Sequence, residues 1–487
     1  MVRILSALAL VATAVAAFNP LVKQHFNIED YIHGGNTEGL EAAAPEEWFE
    51  TQKLDHTDAA NSAVWKQRFF TNDEFYGGAG SPVFVYINGE NVARNTTVGS
   101  TGLFMNVLAK KHKALIVSLE HRYYGKSQPV ADYTTANLKY LTAEQALNDL
   151  ANFQDHLIAK RKLVDSKWVA FGGSYPGMLA AWAKSKHPTR FVGSVASSGP
   201  ILAKADYHEY GDVVAFGLQY YGKEQCVNTV KTALTAFDKL VASTKAEDVA
   251  ELNRLFKPCA PIKNDLDRAT IESVVFGNFQ NLAQSNDYAA SNLKTACDGF
   301  NKDDGKSPLE KLAAFNALTY DTCTDSDYVN AIIKPLSNTA VTTTAIDRQW
   351  TYQTCAEFGF GQTTSTATSI FSALTYANPD AVLYEMCKQA FGITKAQTDV
   401  SIAATNTKYG ALKIDVENVI FTNGNIDPWS ALALTTKPVN PKSDFVFIDG
   451  TSHCRDMTAR KPTDSASLNA AHDQIEAFVD GLFRTKC

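Results

Sequence analysis

Short apolar runs separated by turn residues divide the chain into strands and helices. Runs of this kind, bounded by Gly, Ser, Asn or Asp, indicate strands that are buried on both faces. We predict such buried strands at 82–87, at 114–119 and inside 167–177, a strand in the aromatic-rich stretch 64–70, and further strands at 191–198, 417–422 and 444–449. Helical spacing occurs at 104–111, 142–160, 178–187 and 467–483. Strands that alternate with helices predict a parallel sheet covered on both faces.

The pattern changes in the middle of the chain. From 203 to 400 helical segments and Asp- or Asn-rich turns replace the apolar strand runs. We therefore predict an α/β fold in which a mostly helical cap domain, 203–400, is inserted late in the sheet order. The sheet domain would then consist of two parts, 46–202 and 401–487.

The amino-terminal residues are typical of an export signal. In 1–17, Arg3 precedes an apolar run that ends in small residues, which predicts a secretory signal peptide. A buried N-terminal helix is the alternative. Residues 18–45 are polar and indicate a leader or a short propeptide. We expect a secreted or lysosomal (vacuolar) protein without a membrane anchor, because no later stretch has the length of a transmembrane helix.

Eight cysteines follow the predicted signal peptide, and an even number in an exported chain predicts disulfides. Six of them lie within 226–387, so we predict three bridges there and a Cys454–Cys487 bridge outside it. The spacing lacks the paired pattern of a zinc site, and we predict no metal. Asn95 begins the one N-glycosylation sequon.

The charge of the chain excludes one class of partner. Its formal net charge is −7, and 20% of its residues are charged. A nucleic-acid-binding protein would carry a basic footprint, so we predict no nucleic-acid partner.

A serine at the end of the strand in 167–177 is the candidate nucleophile. Strand, glycines, Ser174 and a following helix form the pattern of a nucleophile elbow, in which the serine sits on a strained turn. The amide of Tyr175 would then bind an oxyanion. Pro176 replaces the usual last glycine of G-x-S-x-G, and proline is tolerated in the first turn of a helix. Ser197 and Ser198 lack the preceding elbow glycine.

The acid and the base are expected in the chain order Ser, Asp, His, on loops after late strands. Asp427 follows the strand at 417–422, and His453 follows the strand at 444–449. Asp456 competes as the acid, but it lies three residues from the histidine. His472 competes as the base, but it lies inside the last predicted helix.

Two further features of the site leave alternatives open. The second oxyanion donor should come from the loop after 82–87, so Gly89 or Glu90 is the candidate, with an ordinary turn as the alternative. Cys454 beside His453 could suggest a thiol mechanism, but a disulfide is the expected state of a cysteine in an exported chain.

Six stretches carry a resemblance to a known family: 48–56, 65–73, 120–127, 172–177, 349–360 and 450–457. Together they resemble the serine peptidases that include prolyl carboxypeptidase, dipeptidyl peptidase II and thymus-specific serine protease. The last two stretches are most similar to the thymus-specific branch. The resemblance spans nearly the whole chain after the predicted signal peptide.

The resemblance implies an α/β-hydrolase fold capped by a disulfide-bonded helical domain, often as a homodimer, that acts on peptides, commonly cleaving after proline. It implies the triad Ser174, Asp427 and His453, and no cofactor. Glu357 is similar to an acidic residue of the family that would bind a substrate's amino terminus, with a structural salt bridge as the alternative.

We therefore predict a serine exopeptidase, either a dipeptidyl-peptidase or similar to a Pro-X carboxypeptidase, that works through an acyl-enzyme. An esterase or lipase on the same fold is the first alternative. A catalytically inactive hydrolase-fold binding module is the second, and it would predict the loss of a triad residue.

Overall fold

The computed structural model describes residues 44–484, which contain two sheets. Their strands are β1 (Glu47–Lys53), β2 (Val64–Asn72), β3 (Val83–Ile87), β4 (Leu115–Leu119), β5 (Trp168–Gly173), β6 (Gly193–Ser197), β7 (Lys204–Asp206), β8 (Gly359–Gly361), β9 (Val419–Gly424) and β10 (Asp444–Ile448). All seven predicted strands are present. The edge strand β1 has no continuous apolar run, because several of its side chains face solvent, and so the pattern did not predict it.

The larger sheet has the strand order β1-β2-β4-β3-β5-β6-β9-β10. β2 is antiparallel to both of its neighbours, and the other pairs are parallel. The carboxyl ends of the parallel strands therefore meet at one edge of the sheet. This is the predicted α/β-hydrolase fold. β7 and β8 form a separate two-stranded sheet.

The α-helices of the described residues lie between and after these strands. They are α1 (Phe104–His112), α2 (Thr135–Leu138), α3 (Ala143–Arg161), α4 (Tyr175–Lys186), α5 (Glu209–Ala242), α6 (Ala246–Phe256), α7 (Asp265–Gln284), α8 (Leu293–Asn301), α9 (Pro308–Asn316), α10 (Lys334–Leu336), α11 (Asp347–Gln353), α12 (Glu385–Phe391), α13 (Lys395–Tyr409) and α14 (Ala466–Phe483).

Alternating residues of the central strands are buried on opposite faces of the sheet. In β3, Val83 and Val85 join one apolar cluster, and Phe84 and Tyr86 join the other. Apolar residues of α3 and α4 belong to the first cluster, while those of α1 and α14 belong to the second. Both faces are covered, which explains why these strands are continuous apolar runs.

Between β6 and β9 the chain forms a region of helices that we call the cap, from the start of α5 to the end of α13. The predicted boundary at 400 falls inside α13, so the helical region extends to Tyr409. Three disulfides lie in the cap, which confirms the number predicted for this segment. They are Cys226–Cys297, Cys259–Cys323 and Cys355–Cys387.

The fourth predicted bridge is wrong, because Cys454 is a free, buried thiol. A Cβ atom added at Gly173 would lie 2.9 Å from its sulfur, so the thiol packs against the end of β5 and not at the surface. Its predicted partner Cys487 lies outside the described residues, as do the predicted signal peptide and residues 18–43 of the leader. Within 44–484, no helix has the length and apolar character required to cross a membrane.

Candidate active site

Ser174 lies at the tight turn between β5 and α4. Its backbone has φ 63° and ψ −130°, in a region that side chains rarely adopt. The turn is compact, because a Cβ atom at Gly172 would lie 2.2 Å from the carbonyl oxygen of Pro176, and one at Gly177 would lie 2.3 Å from that of Ser197. Only glycine fits at these two positions. The turn has the strained geometry that the sequence predicted.

Asp427 and His453 form a buried pair at the carboxyl ends of β9 and β10. His453 Nδ1 lies 2.9 Å from each carboxylate oxygen of Asp427, and both side chains are fully buried. Asp427 also accepts a hydrogen bond from the amide of Trp429 at 3.0 Å. Burial lowers the pKa of His453, but the charge and hydrogen bond of Asp427 and the neighbouring Cys454 together outweigh it and raise this pKa well above its ordinary value. With Nδ1–H donated to Asp427, Nε2 is the nitrogen that can exchange a proton.

The loop that carries His453 packs against the elbow that carries Ser174. The contact of Cys454 with Gly173 joins the residue after the histidine to the residue before the serine. The amide of Cys454 also donates a hydrogen bond to Ser198 Oγ at 2.9 Å. The structure therefore brings the three predicted catalytic residues to the same edge of the sheet.

The competing acid and base have structural partners. Asp456 accepts hydrogen bonds from Ser197 Oγ at 2.5 Å and from Thr422 Oγ1 at 2.6 Å, which tie its loop to β6 and β9. His472 lies in α14, where its Nε2 is 3.0 Å from the carbonyl oxygen of Asp456. Neither joins the Asp427–His453 pair.

The predicted oxyanion residues lie beside the elbow. Tyr175 is the first residue of α4, and the first amides of a helix have no partner within it. A Cβ atom at Gly89 would lie 2.5 Å from Pro176 Cγ, so the loop after β3 contacts the elbow directly. Asn88 holds this loop by donating to Ser118 Oγ and to the carbonyl of Leu119, each at 2.8 Å. That the amides of Tyr175 and of Gly89 or Glu90 bind an oxyanion stays a prediction.

A cavity opens above the serine, between the sheet domain and the cap. It contains about 870 Å³ of empty space, including its open mouth. Its walls are about half polar and half apolar or aromatic, and Glu90 is the one charged residue among those that line it. The lining residues are Glu90, Ser174, Tyr175, Pro200, Ser273, Phe276, Gln280, Trp350, Thr351, Thr354, Gly359, Phe360, Gly361, Gln362, Val382, Leu383, Met386 and Trp429.

Glu90 is buried next to the catalytic candidates. Burial raises the pKa of its carboxyl group to about 7, although a hydrogen bond from its own amide and the charge of His453 oppose this shift. The sequence singled out Glu90 for its amide alone, but the structure adds a side chain whose ionisation changes near neutral pH.

Glu357 lies at the N-terminus of α3, and its binding of a substrate's amino terminus stays a prediction. Its two carboxylate oxygens accept the amide of Ala143 at 2.9 and 3.1 Å, at the first residue of α3, and it does not line the cavity. Burial raises the pKa of its carboxyl group to about 8. An acidic group at a helix N-terminus is favourable, so this contact supports a structural role. Within residues 44–484, Glu357 forms no salt bridge, which was the alternative role predicted for it.

Sequence reasoning missed the part of the cap that holds the histidine loop. Asp287 accepts the amide of Ser452 at 2.6 Å, and the hydroxyl of Tyr288 donates to the carbonyl of His453 at 3.0 Å. Both residues follow α7 in an Asn- and Asp-containing turn. A turn of this composition gives no signal for a contact with residues so distant in the sequence.

The remaining site predictions concern glycosylation and metal binding. Asn95 lies in a turn and is partly exposed, and its glycosylation stays a prediction. Within residues 44–484, no group of three or more His, Cys, Asp or Glu side chains could hold a metal ion.

Comparison with known proteins gives consistent matches over most of the chain. Residues 52–475 match the family described as Serine carboxypeptidase S28. A Caenorhabditis elegans protein named as a serine protease is 33% identical over 88% of this chain and 87% of its own length. The mouse Thymus-specific serine protease is 31% identical over 93% of this chain and 90% of its own. The human Lysosomal Pro-X carboxypeptidase is 27% identical over 86% and 84%.

Proposed function

Because the chain belongs to the Serine carboxypeptidase S28 family and is therefore a serine peptidase, we propose that it hydrolyses peptides through an acyl-enzyme formed on Ser174. His453 acts as the general base, and Asp427 holds its imidazole in the tautomer with the proton on Nδ1. The observation that carries this proposal is the buried Asp427–His453 hydrogen bond, on a loop that packs against the strained turn at Ser174.

The first half of the reaction forms the acyl-enzyme. Ser174 Oγ attacks the scissile carbonyl carbon while its proton passes to His453 Nε2. The amides of Tyr175 and of Gly89 or Glu90 bind the oxygen that becomes negative, and each such donor contributes roughly 3 kcal/mol to lowering the barrier. The C–N bond then breaks, and the proton on Nε2 passes to the leaving amine.

The second half releases the product. A water molecule gives a proton to His453 Nε2 as its oxygen attacks the acyl carbon, and the bond to Ser174 Oγ breaks. The proton on Nε2 returns to the serine oxygen. No cofactor enters this sequence of steps.

The cell compartment and the substrates follow from the same findings. Three disulfides and the name of the lysosomal relative support a secreted or lysosomal destination. The name Pro-X carboxypeptidase makes proline-containing peptides the first substrates to assay. A homodimer stays an expectation from the family resemblance.

Active-site labelling tests the nucleophile. A fluorophosphonate should label the wild type, and mass spectrometry should find the label on Ser174. Ser174→Ala should lose the label and lower kcat by roughly 10⁶-fold. The matched control is Ser197→Ala, which removes a neighbouring buried serine and should leave the label in place. Equal labelling of wild type and Ser174→Ala would remove Ser174 from the mechanism.

A further inference from the structure

Among the residues that line the cavity, one is charged, and no other charged side chain lines the cavity beside it. Glu90 is 6% exposed, and within residues 44–484 its carboxylate forms no hydrogen bond or ion pair with another residue. No lysine, arginine or histidine lines the cavity. The charge of His453 offsets only part of the burial of this carboxylate, because its pKa is still raised, and a bound cation would offset the rest of that cost.

A peptide substrate supplies such a cation at its amino terminus. The α-ammonium group is present on every unblocked peptide, whatever its sequence. The carboxyl terminus of a peptide would instead meet the negative charge of Glu90 and find no cation among the lining residues. The charge of the cavity therefore favours the amino end of a peptide over the carboxyl end.

The position of Glu90 limits how far this amino end lies from the cleaved bond. Gly89 contacts Pro176 and Tyr175, so the side chain of the next residue begins beside the elbow of Ser174. An extended peptide advances roughly 3.5 Å per residue. An ammonium group held by Glu90 would thus lie one or two residues before the scissile carbonyl.

We propose that Glu90 binds the α-ammonium group of the substrate, so that the enzyme removes one or two residues from peptides with a free amino terminus. This inference rests on the proposed acyl-enzyme at Ser174. The aromatic walls at Phe276, Trp350 and Phe360 would contact the side chains of the released residues, which makes apolar amino-terminal residues the preferred substrates.

Blocking each end of the substrate tests the inference on the wild type. A pool of apolar, proline-containing octapeptides is presented with both ends free, with the amino end acetylated, or with the carboxyl end amidated. Loss of a buried charged hydrogen bond predicts that acetylation lowers kcat/KM about 10- to 100-fold, whereas amidation changes it less than about 2-fold. A larger effect of amidation, or no cleavage of the free form, would overturn the inference.

Two matched variants distinguish the role of the Glu90 carboxyl group from that of Glu357. Glu90→Gln keeps the amide and the side-chain volume but removes the charge, so the preference for the free amine should fall to about 3-fold or less, mainly through a higher KM. Glu357→Gln removes the other carboxyl considered for this role and should retain the wild-type preference. The reverse result would assign the amino terminus to Glu357.

The pH dependence of the preference gives a signature that a structural role would not produce. Glu90 must be ionised, so the ratio of free to acetylated kcat/KM should rise as pH approaches its pKa of about 7. It should fall again above about pH 8, where a peptide amino terminus loses its proton. A ratio that does not vary with pH contradicts the assignment. If the wild type is labelled at Ser174 but cleaves acetylated peptides as fast as free ones, only the role of Glu90 is refuted. Labelling at another residue would instead refute the acyl-enzyme on Ser174.

Discussion

The sheet domain and the cap are stabilised by different means. The central parallel strands of the sheet domain are buried between helices on both faces, and its one described cysteine, Cys454, is a free thiol. The cap contains the three disulfides of the described residues. The sheet thus depends on burial and strand pairing, while the helices of the cap are also covalently linked to one another.

The loop of His453 shows what this difference means for the active site. From the sheet domain, Asp427 binds the imidazole, and Ser198 accepts the amide of Cys454. From the cap, Asp287 and Tyr288 bind the backbone of the same loop. The cap therefore supports the proposed catalytic base as well as forming part of the wall of the cavity.

The largest expected effect distinguishes the contribution of Asp427 to the orientation of His453 from the contribution of the cap. Asp427→Asn should lower kcat by roughly 10⁴-fold, because the amide favours the wrong imidazole tautomer. Tyr288→Phe removes one hydrogen bond to the backbone, worth about 1 kcal/mol, and should lower kcat less than about 10-fold. The rate of fluorophosphonate labelling measures both. Effects of similar size would mean that the cap, and not Asp427, determines the orientation of the imidazole.

The sheet domain was largely predictable because its signals are local. Buried parallel strands are apolar runs, and the elbow, Asp427 and His453 each come just after such a run. The contacts across the cap were not predictable in this way. Asp287 and Ser452 are joined by folding alone, and no periodicity records their pairing.

Glu357 and Glu90 show the same limit of sequence-based prediction within the site. Family resemblance pointed to Glu357, and the loop position pointed to the amide of Glu90. Which carboxyl group faces the cavity depends on how α3 and the cap pack, because Glu357 binds the first amide of that helix. Side-chain direction at that level is set by tertiary packing, which residue spacing does not encode.

The next effect in size tests the covalent support of the cap. Cys226 and Cys297 are 71 residues apart, and replacing both by serine should lower the free energy of unfolding by about 4 kcal/mol. Cys454→Ala in the sheet domain removes a thiol without breaking a bridge and should cost about 1 kcal/mol. Thermal unfolding under oxidising conditions measures both. A double variant as stable as Cys454→Ala would show that the cap does not need this bridge.

The smallest expected effect is on the pH dependence of folding stability, through one buried carboxyl group of the cap. Burial and the neighbouring carboxyl of Asp238 together raise the pKa of Glu272 in α7 to about 9, although the amides of Tyr376 and Ala377 oppose the shift. The folded protein therefore keeps a proton that the unfolded chain loses above about pH 4.5. Stability is fully present below that pH and declines as pH rises toward 9.

Denaturant unfolding at pH 5 and pH 7 measures this decline. Each pH unit costs at most about 1.4 kcal/mol for one such group, so Glu272 should account for about 2.5 kcal/mol between the two conditions. Glu272→Gln keeps the shape and removes the titration, so the loss between pH 5 and pH 7 should shrink by that amount. An unchanged loss would mean that Glu272 is already ionised in the folded cap.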